Sequence, residues 1–194
     1  MPHMVTRRDF LRLTALAAGS AFLSACGPLA ERLTNRPGPL GDVAIVDPDV
    51  FAVVNRLTYG PRPEELARAT EIGVGAWIEE QLAPDTIDDG ELHLQLTRLS
   101  LLSLDADALR DVSDKLFDDV DLDLVPGELR RATLLRQVYS RRQLYERVVE
   151  FWSDHFNISV EKGDCHVLKL VDDRDVIRPH ALGRFRDLLG ASAH

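Results

Sequence analysis

Glu128-Leu129-Arg130-Arg131-Ala132-Thr133-Leu134-Leu135-Arg136-Gln137-Val138-Tyr139 runs straight into Ser140-Arg141-Arg142-Gln143 and then into Leu144-Tyr145-Glu146-Arg147-Val148-Val149-Glu150-Phe151-Trp152-Ser153-Asp154-His155-Phe156. The first part carries Leu129, Ala132, Leu135 and Val138 at spacings of three and four, the repeat of an amphipathic helix. Ser140 and Gln143, three apart, have the form of a capping box opening a second helix that runs to about Phe156. Its expected apolar stripe is Leu144, Val148, Phe151 and His155, flanked by Tyr145, Val149, Trp152 and Phe156.

The same period recurs on both sides. Toward the N-terminus, Phe51, Val54, Leu57 and Thr58 fall at helix spacing, and Gly60-Pro61 stops the run. Pro63-Glu64-Glu65 places proline and two acids in a first turn, where the missing N–H is harmless and negative charge meets the positive helix end. Leu66, Ala69 and Ile72 form that helix's stripe, and Gly73 is its natural cap. Ala76 to Leu82 makes a third short helix closed by Pro84. Glu91 to Leu102 is leucine-rich; its first part alternates, but leucine favours helix over sheet. Toward the C-terminus, Cys165 to Val171 reads as a strand or a buried helical turn. Pro179 is expected to open a last helix with Leu182, Phe185 and Leu189 on one face. Few β-branched runs alternate, so the expected fold is mainly α, an irregular multi-helix domain. Because apolar residues still occur at helical spacing up to His194, the domain is expected to be truncated at its C-terminus.

The chain has 194 residues and a net charge of −9. An acidic body lacks the basic face that phosphate neutralisation needs, so no nucleic acid is expected as partner. Two cysteines, Cys26 and Cys165, are too few for a disulfide framework.

The first 26 residues read as an address. Thr6-Arg7-Arg8-Asp9-Phe10-Leu11-Arg12 precedes an uncharged run from Leu13 to Ala25, which ends at Leu23-Ser24-Ala25-Cys26. A basic start, an apolar core and small residues before a cleavage point match a secretory signal. Arg7, Arg8, Phe10 and Leu11 resemble a twin-arginine signal, and Leu23 to Cys26 resembles a lipobox. The apolar run is shorter than the roughly 20 residues a membrane span needs. The resemblance implies export through the twin-arginine machinery, removal of residues 1–25, and a lipid on Cys26 that anchors the protein on the extracytoplasmic side of a membrane. Gly27 to Pro48, rich in proline and glycine, reads as a flexible tether spanning residues 26–48, which leaves 49–194 as the helical domain.

Four phrases together resemble one bacterial family. They are Asn55 to Pro63; Trp77-Ile78-Glu79-Glu80-Gln81-Leu82; Arg147 to Ile158, with Phe151-Trp152-Ser153-Asp154-His155-Phe156 at its centre; and Arg174 to Leu189, with Arg178-Pro179-His180-Ala181-Leu182-Gly183-Arg184-Phe185. The family is the one catalogued as domain of unknown function 1800. The resemblance covers about Phe51 to the end, implies the N-terminal part of a longer domain, agrees with export, and carries no activity.

The densest polar set is Asp154, His155, Asn157, His166, Asp173, Asp175, Arg178 and His180. Imidazoles with a carboxylate could hold a divalent metal, and His155, His166, His180 and Asp154 are the candidate ligands. No His-Glu-x-x-His spacing supports them. The competing reading makes His155 a core histidine and Arg174, Asp175, Arg178 and Asp187 a buried ion network at helix ends. Cys165-His166 reads as an inert buried cysteine beside a histidine. Asp119-Val120-Asp121-Leu122-Asp123 lacks the glycine and the final glutamate of a calcium loop and reads as a solvated acidic loop. Arg56 is expected to satisfy helix-end carbonyls. The leading functional expectation is an exported, membrane-tethered binding or assembly component of the cell envelope, with an unidentified envelope protein as partner. The alternatives are an exported metal-assisted hydrolase or redox enzyme, and a nonfunctional fragment.

Overall fold

The computed structural model describes residues 47–116 and 124–193. The leader with Arg7, Arg8, Phe10 and Leu11, Cys26, nearly all of the tether, and the Asp119 to Asp123 loop lie outside the described residues. Every regular element among the described residues is helical, and none of these helices is long and apolar enough to cross a membrane.

The chain opens with α1, Pro48–Leu57. Asp47 caps it by accepting the Asp49 N–H at 2.8 Å, and Pro48 sits in its first turn, so these last two residues of the stretch expected as a tether belong to the helical body. Helix α2, Pro63–Ile72, ends at Gly73, whose φ of 84° is the left-handed geometry that favours glycine. Helix α3, Val74–Leu82, follows directly. Val50 and Val54 of α1, Ala69 of α2 and a fully buried Trp77 of α3 form the first core.

Pro84–Thr86 makes one 3₁₀ turn before α4, Gly90–Leu96. A second 3₁₀ turn, Ser100–Ser103, then leads to α5, Ala106–Leu116. The leucine-rich stretch is therefore helical, in two short pieces. Helix α6, Leu124–Tyr139, starts four residues earlier than Glu128, because Pro126 in a first turn lacks only an N–H that would have no partner anyway. Helix α7 is Gln143–His155 and α8 is Cys165–Val171. The second core joins Leu101, Leu109, Val125, Val167 and Leu170, from α5, α6, α8 and the second 3₁₀ turn.

After α8 the backbone widens into one π-helical turn, Asp172–Ile177, and continues through α9, Arg178–His180. Pro179 does not open the last helix; it lies inside this continuing run. Its ring removes the N–H that an α-helix would need there and clashes with the preceding turn. The wider turn accommodates it: the Arg178 N–H donates to the Asp173 carbonyl five residues back. The last helix is α10, Phe185–Ser192, whose buried residue is Leu188, while the expected Phe185 and Leu189 are exposed. Leu188 joins Val149, Ile177 and Ala181 in the third core.

Helix α7 is rotated from its expected orientation. Phe151, placed on the buried stripe by sequence, is 58% exposed, and His155 is exposed. The buried residues are Gln143, Glu146 and Val149. The capping box is not formed either. The Ser140 hydroxyl donates to Asp89 and accepts the Arg142 N–H at 3.0 Å, while Gln143 turns back to the carbonyls of Gln137 and Ser140.

Candidate functional site

The residues that sequence reading proposed as metal ligands are not drawn together. His155 ends α7 in an aromatic group, stacked on Phe151 with centroids 6.1 Å apart and edge-on to Phe156. His166 lies on α8, with Nε2 2.9 Å from the Ser113 hydroxyl and Nδ1 2.9 Å from the Gly163 carbonyl. His180 Nδ1 is 2.7 Å from the Val176 carbonyl, within its own run of helix. Asp154 is exposed. Among the described residues no three His, Cys, Asp or Glu side chains are grouped so as to hold a metal ion. Cys165 is half-buried and unpaired, and because it lies on a helix, not a strand, it neighbours His166 on the same turn.

The polar chemistry gathers elsewhere, where α6, α7 and the π turn meet. Arg178 sits between two carboxylates. Its Nη1 and Nη2 donate to Glu146 Oε1 and Oε2 at 3.1 and 2.9 Å, and its Nε donates to Asp173 Oδ2 at 2.9 Å. The three side chains are only 13%, 8% and 9% exposed, respectively. The π turn makes this possible. Residues five apart on an α-helix point about 140° away from each other, whereas an i→i+5 turn brings Asp173 and Arg178 to one side. Helix α7 also bonds carbonyls at the end of this run: the Tyr145 hydroxyl donates to Arg178 O at 2.8 Å, and Trp152 Nε1 donates to Ala181 O at 3.0 Å. Burial pulls the Arg178 guanidinium down, but Asp173 and then Glu146 outweigh it and hold the group well above its ordinary value.

Arg136 of α6 approaches the same cluster without being satisfied by it. Its Nη1 lies 3.7 Å from Asp173 Oδ2, the oxygen that Arg178 already holds. Nη1 is one of only two buried side-chain nitrogens or oxygens among the described residues that lack a hydrogen-bond partner. The other, Arg62 Nε, belongs to a guanidinium otherwise held by Glu65, Ser140 O and Val138 O. Burial, then repulsion from Arg178, push the Arg136 guanidinium below its ordinary value, and Asp173 and Glu146 offset this only in part.

A cavity of about 640 Å³ opens onto this cluster. Arg136, Arg142, Tyr145, Glu146 and Arg178 form one wall. The segment from Asp85 through α4 forms the other, with Asp85, Asp88, Asp89 and His93 among its polar groups. Arg142 is fixed by two donations to the Ile87 carbonyl, at 3.1 and 2.9 Å. Asp89 is fixed by the Ser140 hydroxyl and by the Arg141 N–H at 2.7 Å. Facing guanidinium and carboxylate groups equip such a cavity to bind and orient a small polar molecule.

Of the ion network expected at Arg174, Asp175, Arg178 and Asp187, only Arg178 is central. Arg174 pairs with its neighbour Asp175 at 2.6 Å near the surface and donates to Leu102 O and Leu104 O, while Asp187 is exposed. Sequence reasoning missed Arg136, Glu146 and the Asp85–Asp89 wall. No local signal marks Glu146, which lies beside the Tyr145, Val149 and Trp152 face and is covered through Arg178, 32 residues away.

A family model described as "Protein of unknown function (DUF1800)" matches residues 52–194, the stretch that holds the four phrases carrying the resemblance. No curated protein and no solved structure matches the chain.

Proposed function

Because this chain belongs to the DUF1800 family of proteins of unknown function, we propose a function from its own geometry: an exported binding component that holds a small polar ligand between α4 and the α6–α7 wall. The cavity floored by Arg136, Glu146 and Arg178 is the observation that carries this reading. Export and anchoring rest on the leader. Arg7, Arg8, Phe10 and Leu11 would direct a folded protein to the twin-arginine machinery, and a lipid on Cys26 would hold it on the extracytoplasmic face of a membrane. An acidic body is repelled by anionic headgroups, so a covalent lipid supplies attachment that charge cannot. An envelope protein that the bound form recognises would make the molecule part of an assembly.

Native mass spectrometry of the purified chain against a panel of polar metabolites tests the binding reading. One or more retained small molecules are expected; a chain that retains none, and whose melting temperature no member raises, contradicts it. Intact mass of membrane-extracted protein tests the anchor. A start at Cys26 with added diacylglycerol is expected, and an unprocessed, cytosolic chain contradicts it. A metal-assisted enzyme built on His155, His166, His180 and Asp154 draws no support from their separate positions.

A further inference from the structure

We infer that Arg136 is the anion-recognition point of this cavity and that the group it receives is a single carboxylate of a small organic ligand. The inference rests on the binding reading above and specifies its chemistry. Two guanidinium groups meet at the floor, and only one is satisfied. Arg178 has three donated hydrogen bonds to two carboxylates. Arg136 has one ion pair among the described residues, at 3.7 Å, to an oxygen already bonded to Arg178. Its side chain is 14% exposed, and it lines the cavity. A largely buried cation without a hydrogen-bonded counter-ion is costly to the fold; Nη1 itself is closed to solvent, so an anion arriving through the cavity pairs with the part of the guanidinium that lines it.

The opposite wall selects the kind of anion. Asp85, Asp88 and Asp89 line it, and Glu146 lies beside Arg178, so the cavity holds more carboxylates than guanidinium groups. Of the three arginines in the lining, Arg142 is committed to the Ile87 carbonyl and Arg178 to Glu146 and Asp173, so a phosphate dianion meets one uncommitted guanidinium among four carboxylates. A carboxylate brings one negative charge and a planar pair of oxygens that match the guanidinium fork. A ligand that also carries an ammonium group places it against the Asp85–Asp88 side. A zwitterion of the amino-acid or short-peptide class therefore fits better than a plain acid.

The test uses the purified full chain and its Arg136→Gln and Arg136→Lys variants. Glycylglycine, acetate and inorganic phosphate are compared at constant ionic strength, by titration calorimetry and by melting temperature. Glycylglycine is expected to bind saturably and raise the melting temperature, acetate to do so more weakly, and phosphate no more than chloride. Arg136→Gln is expected to lower glycylglycine affinity about tenfold or more, with Arg136→Lys between it and the wild type. Circular dichroism checks that each variant is folded, and Arg186→Gln, on exposed α10 surface, is expected to change nothing. Tighter phosphate than carboxylate binding, no carboxylate binding at millimolar concentration, or equal affinity in Arg136→Gln overturns the inference. A metabolite retained equally well by Arg136→Gln leaves the binding reading standing and removes this one; no retained metabolite removes both.

Discussion

At the turn between α6 and α7, nearly every polar side chain is bonded, Arg62 Nε being the exception. Gln143 accepts the Tyr59 N–H and donates to the carbonyls of Gln137 and Ser140. Gln81 accepts the Leu144 N–H and donates to Arg141 O. Asp89 receives the Ser140 hydroxyl and the Arg141 N–H. This turn ties α1, α3 and α4 to the pair of long helices, and its groups answer one another. On the cavity floor nearby, Arg136 is buried against a carboxylate that Arg178 already occupies. The contrast separates two uses of buried polarity. A satisfied network fixes one arrangement of backbone, whereas a cation without a hydrogen-bonded counter-ion in a cavity lining costs stability and is suited to a ligand.

Substitutions can break or sharpen this contrast. Arg178→Ala strands Glu146 and Asp173 as buried carboxylates and is expected to lower unfolding free energy by about 3–5 kcal/mol, measured by urea denaturation. At the turn, Gln143→Ala leaves the Tyr59 N–H and the Gln137 carbonyl without their side-chain partner, while Ser140 O keeps Arg62, and is expected to cost about 2–3 kcal/mol in the same assay. A loss at Gln143 below about 0.5 kcal/mol would mean that the turn network does not fix the fold.

Alkaline pH probes the groups joining the two regions. Burial first, then Glu150, raises the Tyr59 hydroxyl above its ordinary 10.0; burial raises Tyr145 against the opposing pull of Arg178. Below 10.0 both folded and unfolded chains keep these protons. As pH climbs past that value, the unfolded chain releases them first, so stability falls. Urea midpoints are expected to drop between about pH 9 and pH 11, with a shallower slope in Tyr59→Phe. An unchanged slope would show that Tyr59 titrates alike in both states. The smallest effect is expected for Arg68→Ala, whose partners Glu71 and Glu80 sit at the surface; its midpoint should match the wild type.

Much of the fold was legible because its signals are local. Pro63 with Glu64 and Glu65 marks the start of α2, Gly73 its end, and Pro84 the end of α3, each through backbone chemistry acting within a turn or two. Family membership was legible from phrases such as Arg178-Pro179-His180. The site was less so. Phe151 and His155 resemble a buried stripe, yet which side of α7 is covered depends on where Ile177, Ala181 and Leu188 arrive. Glu146 and Arg136 read as solvated charges because their burial depends on partners ten or more residues away. Pro179 signals a helix start unless a π turn absorbs it, and periodicity carries no mark of that widening. The histidines drew attention by residue type alone, and each finds a separate local setting.

The central claim is that Arg136 is retained for what enters the cavity and not for the fold around it. The unfolding free energy of ligand-free Arg136→Gln, measured beside wild type, tests it most directly. Equal or greater stability than wild type is the predicted result; a loss comparable to that of Arg178→Ala would contradict the account.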